Sequence, residues 1–237
     1  MGDFEDELER ARRVYAARAE NPVYARLYEP LLPVNLFTVR EREWVLAELL
    51  RRSGLETLAG LDILDVGCGG GGELRRLTSL GASPDRLAGI DLMPGRAEAA
   101  RRILPEARIE TGSAHHLPFP DGSFDIVCQF VVFSSVTDSE MRRIIASEML
   151  RVLRPGGVIL WYDIRKARTT ADLAPISMSE IRAIFPGCSI TARPVTLGWK
   201  ATRRIVPRSR AAAELLQRLP FMCSHWAAVL KRRPSAD

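Results

Sequence analysis

Asp65 stands two residues before Gly67 in the run DVGCGGGG, and a second carboxylate, Asp91, closes the next apolar run of the chain. Four consecutive glycines, 69 to 72, permit positive φ and leave no Cβ between backbone and a ligand. The glycines Gly67, Gly69 and Gly72 also satisfy G-x-G-x-x-G, which on its own suits a dinucleotide. Asp65 points elsewhere, because a carboxylate so close to the turn repels a pyrophosphate. It suits instead a nucleoside cofactor that carries an ammonium and a sulfonium. Asp91 at a strand end has the two acceptor oxygens that a ribose cis-diol asks for.

The run D-V-G-C-G-G-G resembles motif I, [DE]-x-G-x-G-x-G, of the class I S-adenosylmethionine-dependent methyltransferases. A second match is GSAHHLPFPDGSFD, residues 112–125, which is similar to the family's G-D-A-x-x-L-P-F-P-D-x-S-F-D. The family's acid is Ser113 here, so an adenine contact at this position loses its charge assistance. The turn and strand LRPGGVILWYDIR is a third match. A Y-D-x-R run at residues 162–165, a short helix ending in Ile184, Phe185 and Pro186, and the run HWAAVLK at 225–231 resemble a smaller group of small-molecule methyltransferases.

The resemblance covers residues 55–231 and matches the leader before them only loosely. It implies S-adenosyl-L-methionine as cofactor, bound by Asp65, Gly67, Cys68, Gly69, Gly71, Asp91, Leu92, Ser113, Ala114, His115, Gln129 and Phe130. It further implies methylation of a small molecule, with the hydroxyl of a sugar or natural product ahead of a nitrogen or carbon. An alcohol must lose its proton, and Asp163 at the end of the fifth strand is the expected base. Relatives often carry histidine after strand four; this chain has Ser134 and Ser135 there. Two other readings stay open: an NAD(P)-binding oxidoreductase, and a protein that binds the cofactor without turnover.

Positioning these residues takes an α/β fold, a Rossmann-like doubly wound sheet with helices on both faces. Strands are expected at 61–66, 86–90, 108–112, 126–130 and from the Pro155-Gly156-Gly157 turn to 163. Strand six at 189–197 and strand seven at 224–231 should pair as an antiparallel hairpin, giving seven strands, with one helix at 211–219 between them. Helices are expected from Glu73 to Gly81, at 94–104 with Asp91 as N-cap, and at 138–153. The chain divides into a leader, residues 1–54, that covers the active site, and the domain 55–237. In the leader, Pro22, Pro30 and Pro33 break the chain, Thr38 to Glu41 read as a capping box, and Arg40 or one of Tyr15, Tyr24 and Tyr28 could reach the site.

Composition excludes several classes. There is no apolar run near 18 residues and no basic amino-terminal signal, so no membrane is expected and the chain reads as cytoplasmic. Three dispersed histidines and four scattered cysteines make neither a metal site nor a disulfide set. Residues 151–237 hold 16 Lys/Arg against 5 Asp/Glu, a net +11 in a chain of net +5. Arginine outnumbers lysine 31 to 3 without interleaved aromatics, which reads as coding bias and not as a nucleic-acid groove. The expected partners are a small-molecule acceptor and, at most, a second copy in a homodimer.

Overall fold

The computed structural model describes residues 2–21 and 29–233. Pro22, Tyr24 and Tyr28 of the leader lie outside the described residues. Seven strands form one sheet in the order β3-β2-β1-β4-β5-β7-β6. These are β1 (Ile63–Val66), β2 (Leu87–Asp91), β3 (Arg108–Thr111), β4 (Phe124–Phe130), β5 (Leu153–Ile164), β6 (Cys188–Leu197) and β7 (Cys223–Arg232). The first five are parallel, and β7 enters antiparallel between β5 and β6. Strands β1 and β2 are buried at every position, as expected of central parallel strands whose apolar runs do not alternate.

Successive side chains of a strand feed opposite faces. Leu64 and Val66 join Val127, Phe133 and Trp161 under α5 (Ser139–Val152) and α6 (Met178–Ile184). Ile63 joins Cys128, Leu160 and Tyr162 under α2 (Pro33–Arg52), α3 (Gly72–Ser79) and α4 (Pro94–Ile103). The chain runs from β1 outward to β2 and β3, then returns to place β4 on the other side of β1. The resulting crevice lies past the carboxyl ends of β1 and β4, where Val66 pairs with Gln129.

Four local expectations are corrected. The helix α2 starts at Pro33 with Leu32 as N-cap, five residues ahead of the Thr38 capping box, because proline is pre-set for the first helical position. Glu41 instead sends its carboxylate to the Thr196 N–H. The N-cap of α4 is Met93, and Asp91 accepts the Met93 N–H without capping the helix. The Pro155-Gly156-Gly157 turn is a bulge within β5, where pairing with β4 slips between Phe124 and Ile126. Finally, β6 and β7 are joined by a cap of two short helices, α7 (Trp199–Ile205) and α8 (Arg210–Leu216). That cap packs on Phe37 of α2 and Leu197 of β6.

Candidate active site

The glycine turn is stitched to the neighbouring strand: Gly67 and Cys68 N–H both donate to Ile90 O, at 2.8 and 3.0 Å. Gly67 has φ +75° and a Cβ there would stand 2.5 Å from Val132 Cγ2; Gly71 has φ +80° and a Cβ there would stand 3.1 Å from Ala100 Cα. Conformation and space both demand glycine at these two positions. The Cys68 thiol turns inward beneath Gly89, and burial pushes its pKa up, so this residue faces the crevice with backbone alone. Asp65 is 1% exposed, and its Oδ1 has no hydrogen-bond partner. Burial raises its pKa well above the usual range, Glu73 and Asp91 add to this, and Arg42 opposes it.

Asp91 lies one strand away. Its Oδ2 accepts the Gly69 N–H at 2.8 Å and its Oδ1 the Met93 N–H at 2.9 Å. Each oxygen keeps a further lone pair for a hydroxyl donor. Leu92 and Ala114 are half-buried at the rim of the core. Ser113 Oγ and His115 Nδ1 lie 2.6 Å apart, so the hydroxyl that replaces the family's acid is held by its neighbour. Phe4 stands beside the His115 ring, with centroids 6.4 Å apart.

At the carboxyl end of β4, Gln129 is buried, and its side chain serves the backbone: Oε1 accepts the Val132 N–H and Nε2 donates to Tyr162 O. Val131 follows with φ +60°, a conformation that costs a β-branched residue on the order of 1–3 kcal/mol. Asp163, the expected base, is 0% exposed. Its Oδ2 accepts the N–H groups of Phe133 and Ser134, and its Oδ1 that of Ile164. Burial lifts its pKa to about 6, against the pull of Ser134 and these N–H donors. Asp163, expected as the base, is closed off from solvent, and its carboxylate anchors the 131–136 loop. Arg142 completes the anchor, with Nε donating to the carbonyls of Phe133 and Val136 and Nη2 to Ala174 O.

The leader lies against this loop. Along α1 (Gly2–Glu20), Glu7 accepts the Thr137 N–H at 2.6 Å, Arg10 donates to Ser135 O at 2.6 Å, and Tyr15 donates to Ser135 Oγ at 3.1 Å. Arg96 sits 5.0 Å from the Tyr15 ring centre and close enough to Gly69 that a Cβ there would be 2.7 Å from its Nη2. Arg40 is exposed, and Arg42, two residues on, is half-buried against the site. Arg42 pairs with Glu73 at the start of α3 and lies over the rings of Tyr162 and Phe130, at 5.0 and 5.8 Å. The spacing of Arg42, Leu46 and Leu49 puts all three on one helix face, a signal that was present in the sequence. Among the described residues no group of three His, Cys, Asp or Glu side chains could hold a metal ion.

Residues 64–161 match the family model described as a methyltransferase domain. Fold, glycine turn and match agree. Over residues 64–161 the chain matches a methyltransferase domain, and the sheet around it has the fold of solved S-adenosylmethionine-dependent methyltransferases. Over 114 residues the chain is 36% identical to a 2-methyl-6-phytyl-1,4-hydroquinone methyltransferase from Synechocystis, covering 46% of this chain and 34% of that protein. Over 117 residues it is 37% identical to a phthiotriol/phenolphthiotriol dimycocerosates methyltransferase from Mycobacterium ulcerans, covering 48% and 42%. The chain therefore spans less than half the length of these two relatives. A solved S-adenosylmethionine-dependent methyltransferase from Archaeoglobus fulgidus superposes with TM-score 0.57 over 83% of this chain and 98% of that one, at 17% identity, a likeness of fold.

Proposed function

We propose that the chain transfers a methyl group from S-adenosyl-L-methionine to a hydroxyl of a small molecule. The observation that carries the reading is the buried orphan oxygen of Asp65 beside a bare glycine turn, with Asp91 one strand away. A buried carboxylate is stable only when a donor satisfies it. The cofactor ammonium is such a donor, and the ribose hydroxyls suit the remaining lone pairs of Asp91. When bound, this cofactor supplies an electrophilic methyl on a sulfonium.

The residues then have distinct tasks. Asp65 holds the ammonium, Asp91 the ribose, and Gly67, Gly69, Gly71 and Cys68 lend backbone. Ser113, Ala114 and His115, with Leu92, border the adenine. Phe130 and Gln129 shape the wall at the end of β4, Gln129 by fixing the backbone of Val132. Arg42 lowers the Asp65 pKa, opposing the burial that raises it. Asp163 is a positioning residue: it holds the loop against which α1 rests. Alignment of donor and acceptor and exclusion of water, which these residues would supply, are what a methyl displacement would gain most from.

The hydroquinone and the triol in the relatives' names are hydroxyl-bearing compounds, which supports a hydroxylated small-molecule acceptor, with C-methylation of an electron-rich ring as the second reading. A thermal-shift comparison tests the cofactor. S-adenosylhomocysteine at a hundredfold excess over Kd should stabilise the protein by about 2.7 kcal/mol. Stabilisation by NAD(H) in its place would replace this reading by that of an oxidoreductase.

A further inference from the structure

The cap between β6 and β7, residues 198–222, carries charge and apolar surface together. Its six cations, Lys200, Arg203, Arg204, Arg208, Arg210 and Arg218, face one acid, Glu214, so these 25 residues carry as much net charge, +5, as the entire chain. Glu214 pairs with Arg210. Among the cations lie large apolar side chains turned to solvent: Phe221 is 66% exposed, Leu215 64%, and Trp199 and Leu219 are exposed as well. These are four of the nine large apolar side chains exposed among the described residues.

Both helices turn one face inward, which leaves Trp199 and Leu215 on the outside. Thr202 and Val206 of the first helix and its exit, and Ala213 of the second, are buried, and Val206 and Ala213 pack with Phe37 and Leu197. Trp199 and Arg203 are one turn apart on the outer face, with the guanidinium 5.6 Å from the ring centre. Apolar side chains set among cations on an outer helical face suit the headgroup–acyl boundary of a bilayer that carries anionic lipid.

We infer that the 198–222 cap is a docking surface for an anionic membrane. A second copy fits poorly, since a two-fold contact would press one +5 surface on another. Nucleic acid would satisfy the arginines but has no place for Leu215, Leu219 and Phe221. The absence of a spanning run in the sequence does not oppose the inference, because a surface-bound helix pair needs none. Among the described residues no helix is long and apolar enough to cross a membrane. The cap joins the carboxyl end of β6 to the amino end of β7, where Leu197 pairs with Cys223 and Ile164 with His225. That is the edge of the sheet at which β5 ends beside the 131–136 loop. Docking would bring this edge to the bilayer, whatever the acceptor is; the inference stands apart from the reaction proposed above.

The test is co-sedimentation of the full chain with vesicles of pure phosphatidylcholine and of phosphatidylcholine with phosphatidylglycerol. The mixed vesicles should bind the protein at least tenfold more strongly, and binding should weaken as salt rises. Each arginine near such a surface contributes about fivefold, so Arg203→Gln with Arg204→Gln should lower binding by more than tenfold. Phe221→Ser with Leu215→Ser should lower it comparably. Circular dichroism and S-adenosylhomocysteine binding report whether the variants fold. Equal binding to both vesicle types, no binding, or undiminished binding by folded variants would overturn the inference. So would displacement by a short DNA duplex, or self-association that the same substitutions abolish.

Discussion

Asp163 Oδ2 accepts the Phe133 N–H at 2.9 Å, joining the end of β5 to the loop that follows β4. Through that one bond a carboxylate at the place of a base serves as the fastening of the active-site wall. The loop in turn receives Glu7, Arg10 and Tyr15 of the leader.

Replacing Asp163 by Asn should therefore act on structure before chemistry. Leaving buried N–H groups poorly matched costs about 1–3 kcal/mol, and S-adenosylhomocysteine affinity should fall with it. The shape of the pH–rate profile should stay as in the wild type. Loss of one limb of that profile at unchanged cofactor affinity would return Asp163 to the role of base.

Glu41 reports on the seat of the leader helix. Burial lifts its pKa from 4.5 to about 7, against the Thr196 N–H and Arg193. A raised carboxyl pKa means the folded state binds more protons than the unfolded one. The contribution is thus full below pH 4.5 and lost as pH rises through about 7. Urea titrations should show the wild type losing stability relative to Glu41→Gln across that window, with a constant difference above it. A difference that is flat from pH 4.5 to 7 would contradict the assignment.

Gly67→Ala should cost stability twice, by placing a side chain at φ +75° and by driving it into Val132 Cγ2. The first term is about 1–2 kcal/mol. In a double-mutant cycle, adding Val132→Ala should recover the steric part and leave the conformational part. Full additivity of the two substitutions in denaturant melts would show that the contact carries no energy.

Arg42 lowers the Asp65 pKa that burial, Glu73 and Asp91 raise. An ammonium ligand needs that carboxylate charged, so affinity should grow as pH rises through its titration. Arg42→Gln should move this limb to higher pH and weaken binding below it. Calorimetry across pH on both proteins checks the direction; coincident limbs would exclude the coupling.

The parallel half of the sheet was legible because buried strands write themselves as apolar runs between glycines, as in 61–66 and 87–90. The turn at Gly67 and the carboxylates Asp65 and Asp91 were legible as a pattern of residue types. The start of α2 was not, since Thr38 and Glu41 mimic a capping box while Pro33, five residues earlier, starts the helix. The first cap helix was missed because its seven residues, Trp199–Ile205, are too few for periodicity to show. Asp163 was placed at the right strand end, but the backbone donors that claim it come from the loop after β4, a contact 30 residues away in the chain. Arg142 was missed for the same reason, its partners being distant backbone carbonyls and the Glu180 carboxylate 38 residues on.

The central claim is that Asp65 provides the charge that holds the cofactor's ammonium. Isothermal titration of S-adenosylhomocysteine into the folded wild type and into Asp65→Asn measures it directly. A charged hydrogen bond lost at a buried site is worth about 1.5–3 kcal/mol, so the variant should bind roughly ten- to a hundredfold more weakly, in step with that energy. Equal affinity in the two proteins, or no heat of binding in the wild type, would contradict the account.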